Sequence, residues 1–173
     1  MPSFPNTLLA AGPNQAPPAR GYGLRVSVMS PHSRGTVRLA NGNPGTLPVI
    51  DPRYYSDRRD LLVMRDGLRI ARELGRSKSL GPWRAAEFFP GPDVREDAEL
   101  DAYVRASLGS YHHPVGTCRM GTDPLAVVDA ELRVRGIHGL RVADASVMPT
   151  IPTANTNATV YAIAERAADL LAA

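Results

Sequence analysis

The residues best suited to chemistry are concentrated in one short run, Tyr111-His112-His113-Pro114-Val115-Gly116-Thr117-Cys118-Arg119-Met120-Gly121. Two adjacent imidazoles precede a proline, and glycines flank the single cysteine, so the backbone here is neither a regular helix nor a regular strand. A loop that carries such groups more often serves chemistry than packing. Farther along, Pro152-Thr153-Ala154-Asn155-Thr156-Asn157 places small polar side chains ahead of a strongly apolar segment. That is the composition of a helix start, where backbone N–H groups lack intrahelical partners. The two stretches are expected to meet as one site.

His113 is an imidazole positioned by the proline that follows it, and an imidazole is a side chain suited to take a proton from a hydroxyl. By residue type alone, a histidine is more often structural than catalytic. His112 points away from its neighbour in extended chain and is assigned a supporting or structural role. His32 and His138 lie in turns and are expected to be solvated. Cys118 reads as a small buried filler rather than a nucleophile. A metal site built from His112, His113, Cys118 and His138 fits no closed zinc spacing, so no metal is expected.

The elements that must position these groups follow from composition and periodicity. The chain has 173 residues, 43% of them hydrophobic and 21% charged, enough for one core. The net charge of +3 comes almost wholly from arginines spread among acids, with Lys78 the one lysine, which gives no basis for nucleic-acid binding. One cysteine allows no internal disulfide. No run has signal-peptide or membrane-spanning character, so no membrane association is expected and the default location is cytoplasmic.

Residues 1–21 hold five prolines and read as a loop or severed linker, leaving 22–173 as the folded region. Leu24, Val26 and Val28 alternate with polar residues, as does the run 36–39. The two are expected to pair as antiparallel strands, with a short edge segment at 47–50. A helix is expected over about 57–74, capped by Ser56 and carrying Leu61, Met64, Leu68 and Ala71 on one face. A second is expected over about 95–107, with acids in its first turns where the helix dipole favours them. Glu87, in the proline- and glycine-rich loop 81–92, lines a pocket or lies at the surface. Residues 127–128, 131–135 and 140–143 read as strands, and 157–171 as a helix buried on most sides. The expected fold class is α+β, an antiparallel sheet of early and late strands packed with helices.

His113-Pro114-Val115-Gly116-Thr117-Cys118-Arg119-Met120-Gly121, then Val128-Asp129, then Leu140-Arg141-Val142-Ala143-Asp144-Ala145-Ser146-Val147-Met148-Pro149, then Asn155-Thr156-Asn157-Ala158 closely resemble the C-terminal region of the glucose-methanol-choline oxidoreductases. These are flavoenzymes that oxidise alcohols and related substrates. Pro31-His32-Ser33-Arg34-Gly35-Thr36-Val37, Asp51-Pro52-Arg53-Tyr54 and Glu87-Phe88-Phe89-Pro90-Gly91 resemble that family's substrate-domain landmarks in the same order.

The resemblance implies that His113 matches the catalytic histidine and Asn155 the second active-site position. His113 would accept the alcohol's hydroxyl proton as hydride leaves for the flavin, and Asn155 would hold the substrate oxygen. Asp144, Ala145, Asn155, Thr156 and Asn157 would lie along FAD; Asn157 either touches the flavin or caps the helix. The family's N-terminal Gly-x-Gly-x-x-Gly turn has no counterpart in these residues. The resemblance therefore implies a partner, an FAD-binding domain outside this sequence, to which segments within 127–173 would return. It also implies uncovered apolar surface and self-association in isolation. The alternative is a non-catalytic remnant or assembly module that keeps the fold without flavin.

Overall fold

The computed structural model describes residues 21–172; the proline-rich loop expected at the N-terminus lies outside them, apart from its last residue. The fold class is α+β, with a two-stranded antiparallel sheet and three α-helices among the described residues. The chain divides into two compact units, Met1–Val28 with Tyr55–His112, and Met29–Tyr54 with His113–Ala173.

The first unit is a helix pair. Helix α1 spans Arg58–Gly75, and its N-cap is Asp57, one residue beyond the expected Ser56; the Asp57 carboxylate accepts the Arg59 N–H at 2.9 Å. A carboxylate at this position answers both an unsatisfied N–H and the helix's positive end. Helix α2 spans Asp97–Ala106 and begins with a capping box, Glu96 with Glu99, whose Oε2 accepts the N–H groups of Arg95 and Glu96. Those backbone bonds, Arg95 first, hold the Glu99 carboxyl below its ordinary range. The expected apolar faces interlock: Leu61, Met64 and Leu68 of α1 with Leu100 and Val104 of α2. The acids expected where the dipole of α2 favours them also tie the pair together, since Arg65 reaches Asp97 at 2.8 Å and Arg69 also bonds Asp97.

Leu24, Val26 and Val28 do not pair with the run 36–39. Val26 and Val28 instead lie against the helix-pair core. Their alternation correctly marked a half-buried segment, but Val26 and Val28 are covered by the helix pair and not by the run 36–39. Val26 comes so close to α1 that a Cβ on Gly67 would overlap its Cγ1. Beyond α1, the 3₁₀ turn Lys78–Trp83 leads into the loop that contains Glu87. Arg72 of α1 grips that carboxylate through Nε and Nη2 at 2.9–3.1 Å and donates to the Gly91 carbonyl at 3.0 Å. Glu87 is thus half-buried and committed to a loop-to-helix tie.

In the second unit, strand β1 (Thr36–Arg38) pairs antiparallel with β2 (Val49–Asp51) in the register Thr36↔Asp51, Val37↔Ile50, Arg38↔Val49. The asparagine-glycine turn joins these two strands, with Asn43 Oδ1 accepting the Gly45 N–H and the Asn43 carbonyl accepting the Thr46 N–H. The late segments expected as strands form only isolated bridges, Met120↔Val128, Val128↔Val134 and Arg133↔Arg141. Left-handed backbone at Leu132, Gly136 and Gly139 turns the chain too often for a ladder to propagate. The sheet of early and late strands therefore does not form.

Around those bridges Val128, Leu132, Val147 and Ala167 make a second core. Helix α3, Asn157–Ala172, contributes a single covered stripe of Ile163, Ala167 and Leu170. The expectation that it is buried on most sides does not hold: Ala167 is its one buried residue, while Tyr161 and Leu171 are 67% and 70% exposed. No helix among the described residues is long and apolar enough to cross a membrane.

Two outcomes follow from the helix pair. Helix propensity alone would favour Gly67→Ala by about 0.5–1 kcal/mol. Contact with Val26 makes the substitution destabilising instead, by about 1–3 kcal/mol. A double-mutant cycle with Val26→Ala, read by urea unfolding, should show the combined cost falling below the sum of the single costs. Separately, burial pushes the Tyr103 phenol up to about 12. An unfolded chain releases this proton near pH ~10 and the folded chain holds it to about 12, so the stabilisation is complete below pH ~10 and is lost as pH rises through that window. Unfolding free energies measured across it should fall, and Tyr103→Phe should shallow the fall.

Candidate active site

The site lies in the second unit, and it is built from three short irregular segments, two joined by backbone hydrogen bonds and the third by a side-chain contact. Pro114 restricts His113 to extended conformations. Just before it, His112 is exposed and left-handed, with φ of 60°, and its N–H donates to Ser110 Oγ at 3.0 Å. The chain then turns at Gly116, whose φ is 88°, where a Cβ would sit 3.4 Å from the Met148 carbonyl. Glycine answers both needs, the sign of φ and the close approach. From Cys118 the segment runs between two neighbours. The Cys118 and Met120 N–H groups donate to the Ser146 and Val147 carbonyls at 3.0 and 2.8 Å, and the Val127 N–H donates to the Arg119 carbonyl at 3.0 Å. Arg119 and Asp123 close the following turn with a two-pronged ion pair. The Arg119 guanidinium holds the Asp123 carboxyl far below its usual range.

The second segment is the turn that starts at Asp144. Its carboxylate accepts the Ser146 N–H at 2.8 Å and so caps the 3₁₀ turn Ala145–Val147, leaving Asp144 exposed and Ala145 half-buried. Val147 and Met148 are buried, so the turn is held by side chains as well as by its backbone bonds to residues 118–120.

The third segment leads into α3. The Thr156 carbonyl accepts the Val160 N–H at 2.9 Å, the first helical bond, so the helix starts from Thr156. Asn155 and Asn157 on either side are exposed, whereas Thr156 is buried. Its Oγ1 lies 2.9 Å from His113 Nδ1. This contact brings together the two stretches that the sequence singled out. The ring's other nitrogen, Nε2, is also buried. An imidazole held at one nitrogen in this way has a defined orientation and can exchange a proton at the other.

Sequence reasoning placed Thr156 beside a cofactor and cast Asn155 as the partner of His113. It did not anticipate that Thr156 would hold the imidazole. No local signal could have shown this, because the two residues are 43 positions apart. His32 and His138 are exposed and Cys118 is half-buried. Among the described residues no group of three or more His, Cys, Asp or Glu could hold a metal ion.

Comparison with known proteins extends this geometry. Residues 31–164 match the family model for GMC oxidoreductase. Over 151 residues the chain is 44% identical to the alcohol dehydrogenase [acceptor] of Pseudomonas putida, covering 87% of this chain and 27% of that protein. The crystal structure of pyridoxine 4-oxidase from Mesorbium loti superposes with a TM-score of 0.82 at 39% identity, covering 90% of this chain and 31% of the other. An FAD-dependent oxidoreductase from Chaetomium thermophilum superposes with a TM-score of 0.75 at 36% identity, covering 82% of this chain and 25% of the other. The chain thus spans between a quarter and a third of the length of these relatives. Its sequence and its fold together make it a member of the GMC oxidoreductase family, corresponding to that family's C-terminal region.

Proposed function

We propose that residues 22–173 are the catalytic and substrate-binding portion of an FAD-dependent alcohol oxidoreductase, with His113 as the base. The observation that carries this reading is the His113–Thr156 contact, which sets a half-buried imidazole at the start of α3, where Asn155 is the residue preceding Thr156. His113 takes the hydroxyl proton of the alcohol. Asn155, a neutral amide, donates to the substrate oxygen without competing for that proton. When bound, FAD supplies the ring that accepts the hydride from the alcohol carbon.

The donor set fits the flavin end of such a cofactor. Exposed amides at Asn155 and Asn157, together with the first N–H groups of α3, suit the electron-rich edge of a reduced ring. The exposed Asp144 and the half-buried Ala145 would lie along the same group. The pyrophosphate end needs a glycine-rich turn that this sequence lacks, so an FAD-binding domain is the required partner. The uncovered apolar side chains of α3, Tyr161 and Leu171, support a role beside further polypeptide.

A chimera tests the reading: residues 22–173 replace the matching region of the Pseudomonas putida alcohol dehydrogenase, and flavin reduction by an alcohol is followed by absorbance without oxygen. The chimera should bleach on mixing. His113→Ala should slow the bleaching by about 10²–10⁴-fold, the usual worth of a positioned base. Bleaching at an unchanged rate in His113→Ala would remove the assignment.

A further inference from the structure

We propose that Thr156 is a positioning residue that sets the tautomer of His113: its hydroxyl oxygen accepts the Nδ1–H, so the neutral imidazole keeps its lone pair on Nε2. The inference rests on the reading of His113 as a base and deepens it by naming the atom that takes the proton and the side chain that makes it able to. A neutral imidazole carries one N–H and one lone pair, and the partner of one nitrogen decides the state of the other. Thr156 Oγ1 stands 2.9 Å from Nδ1, so a proton held in that contact puts the ring's lone pair on Nε2. Nε2 can act as a base only if the proton is on Nδ1.

Three features make Thr156 fit for this task. It is 7% exposed, so water competes poorly for the contact. Its backbone is anchored, because its carbonyl accepts the first hydrogen bond of α3. Its β-branched side chain has few χ1 choices, so the oxygen is held on a rigid element rather than on a loose loop. On the other side, Pro114 limits the backbone of His113, so both ends of the bond are constrained. Serine keeps the hydroxyl and loses the branching, whereas valine keeps the shape and loses the oxygen.

The test reads the ring directly in the isolated ¹⁵N-labelled chain, by long-range proton–nitrogen NMR of the histidines at a pH where His113 is neutral. His113→Gln identifies the signals by their disappearance. The wild-type ring should show a pyrrole-type Nδ1 and a pyridine-type Nε2. Thr156→Ser should keep that pattern, and Thr156→Val should lose it, with the Nε2 resonance shifting toward the pyrrole type. A wild-type ring with its proton on Nε2 overturns the proposal, as does a pattern unchanged in Thr156→Val. The wild-type and serine spectra decide even if the valine variant does not fold. Because the readout needs neither flavin nor turnover, failure of His113 as a base in the chimera would be seen separately.

Discussion

One hydrogen bond, between His113 and Thr156, closes a stretch of 43 residues into a single site. Closing a loop of that length costs entropy, although the cost grows only by about 0.6 kcal/mol for each doubling of length. A lone hydrogen bond contributes on the order of 1 kcal/mol net and could not hold the loop shut by itself. The stretch is gathered by other means. Val128, Leu132 and Val147 pack with Ala167 of α3, and backbone bonds lace residues 118–121 to 127–128 on one side and to 146–147 on the other. The imidazole contact sits on a frame that packing has already closed. It can therefore tune the ring rather than support the fold.

The two units achieve order in different ways. The first relies on helix periodicity, an apolar seam and arginines that reach across to carboxylates, as Arg65 does to Asp97 and Arg72 to Glu87. The second has little regular structure around the site. Its backbone polar groups are satisfied by turns, caps and single bridges, with Asp144 and Asp129 using side-chain oxygens where a ladder would have used carbonyls. Irregular backbone of this kind suits a site, because it lets donors and acceptors point in directions that a helix or strand forbids.

The same contrast explains what the sequence revealed. The faces of α1 and α2 were legible because 3.6-residue spacing and an apolar stripe require nothing from distant chain. The caps were harder to place: Ser56 and Asp57 are both good capping residues, and only the backbone decides between them. Pairing of the 24–28 run was misread because alternation reports half-burial and says nothing of what does the burying. The late segments were misread as strands because the composition at Leu132, Gly136 and Gly139 conceals three left-handed turns, one of them on a leucine. At the candidate site, the order His-Pro-x-Gly and the later Asn-Thr-Asn marked the two stretches that the His113–Thr156 contact joins. The contact itself, made by Thr156, depends on the tertiary route between them.

The interleaving of the two units in sequence has a consequence for how such a region can be inherited or exchanged. Each unit is composed of two separate stretches, so the chain passes from one to the other after Val28, after Tyr54 and after His112. The last of these changes falls between the two adjacent histidines. No single breakpoint leaves both units whole, so a recombination event inside the region divides at least one unit between parents. Exchange by single crossovers is thereby confined to the flanks, and the region passes between proteins as one block or loses packing partners in the attempt.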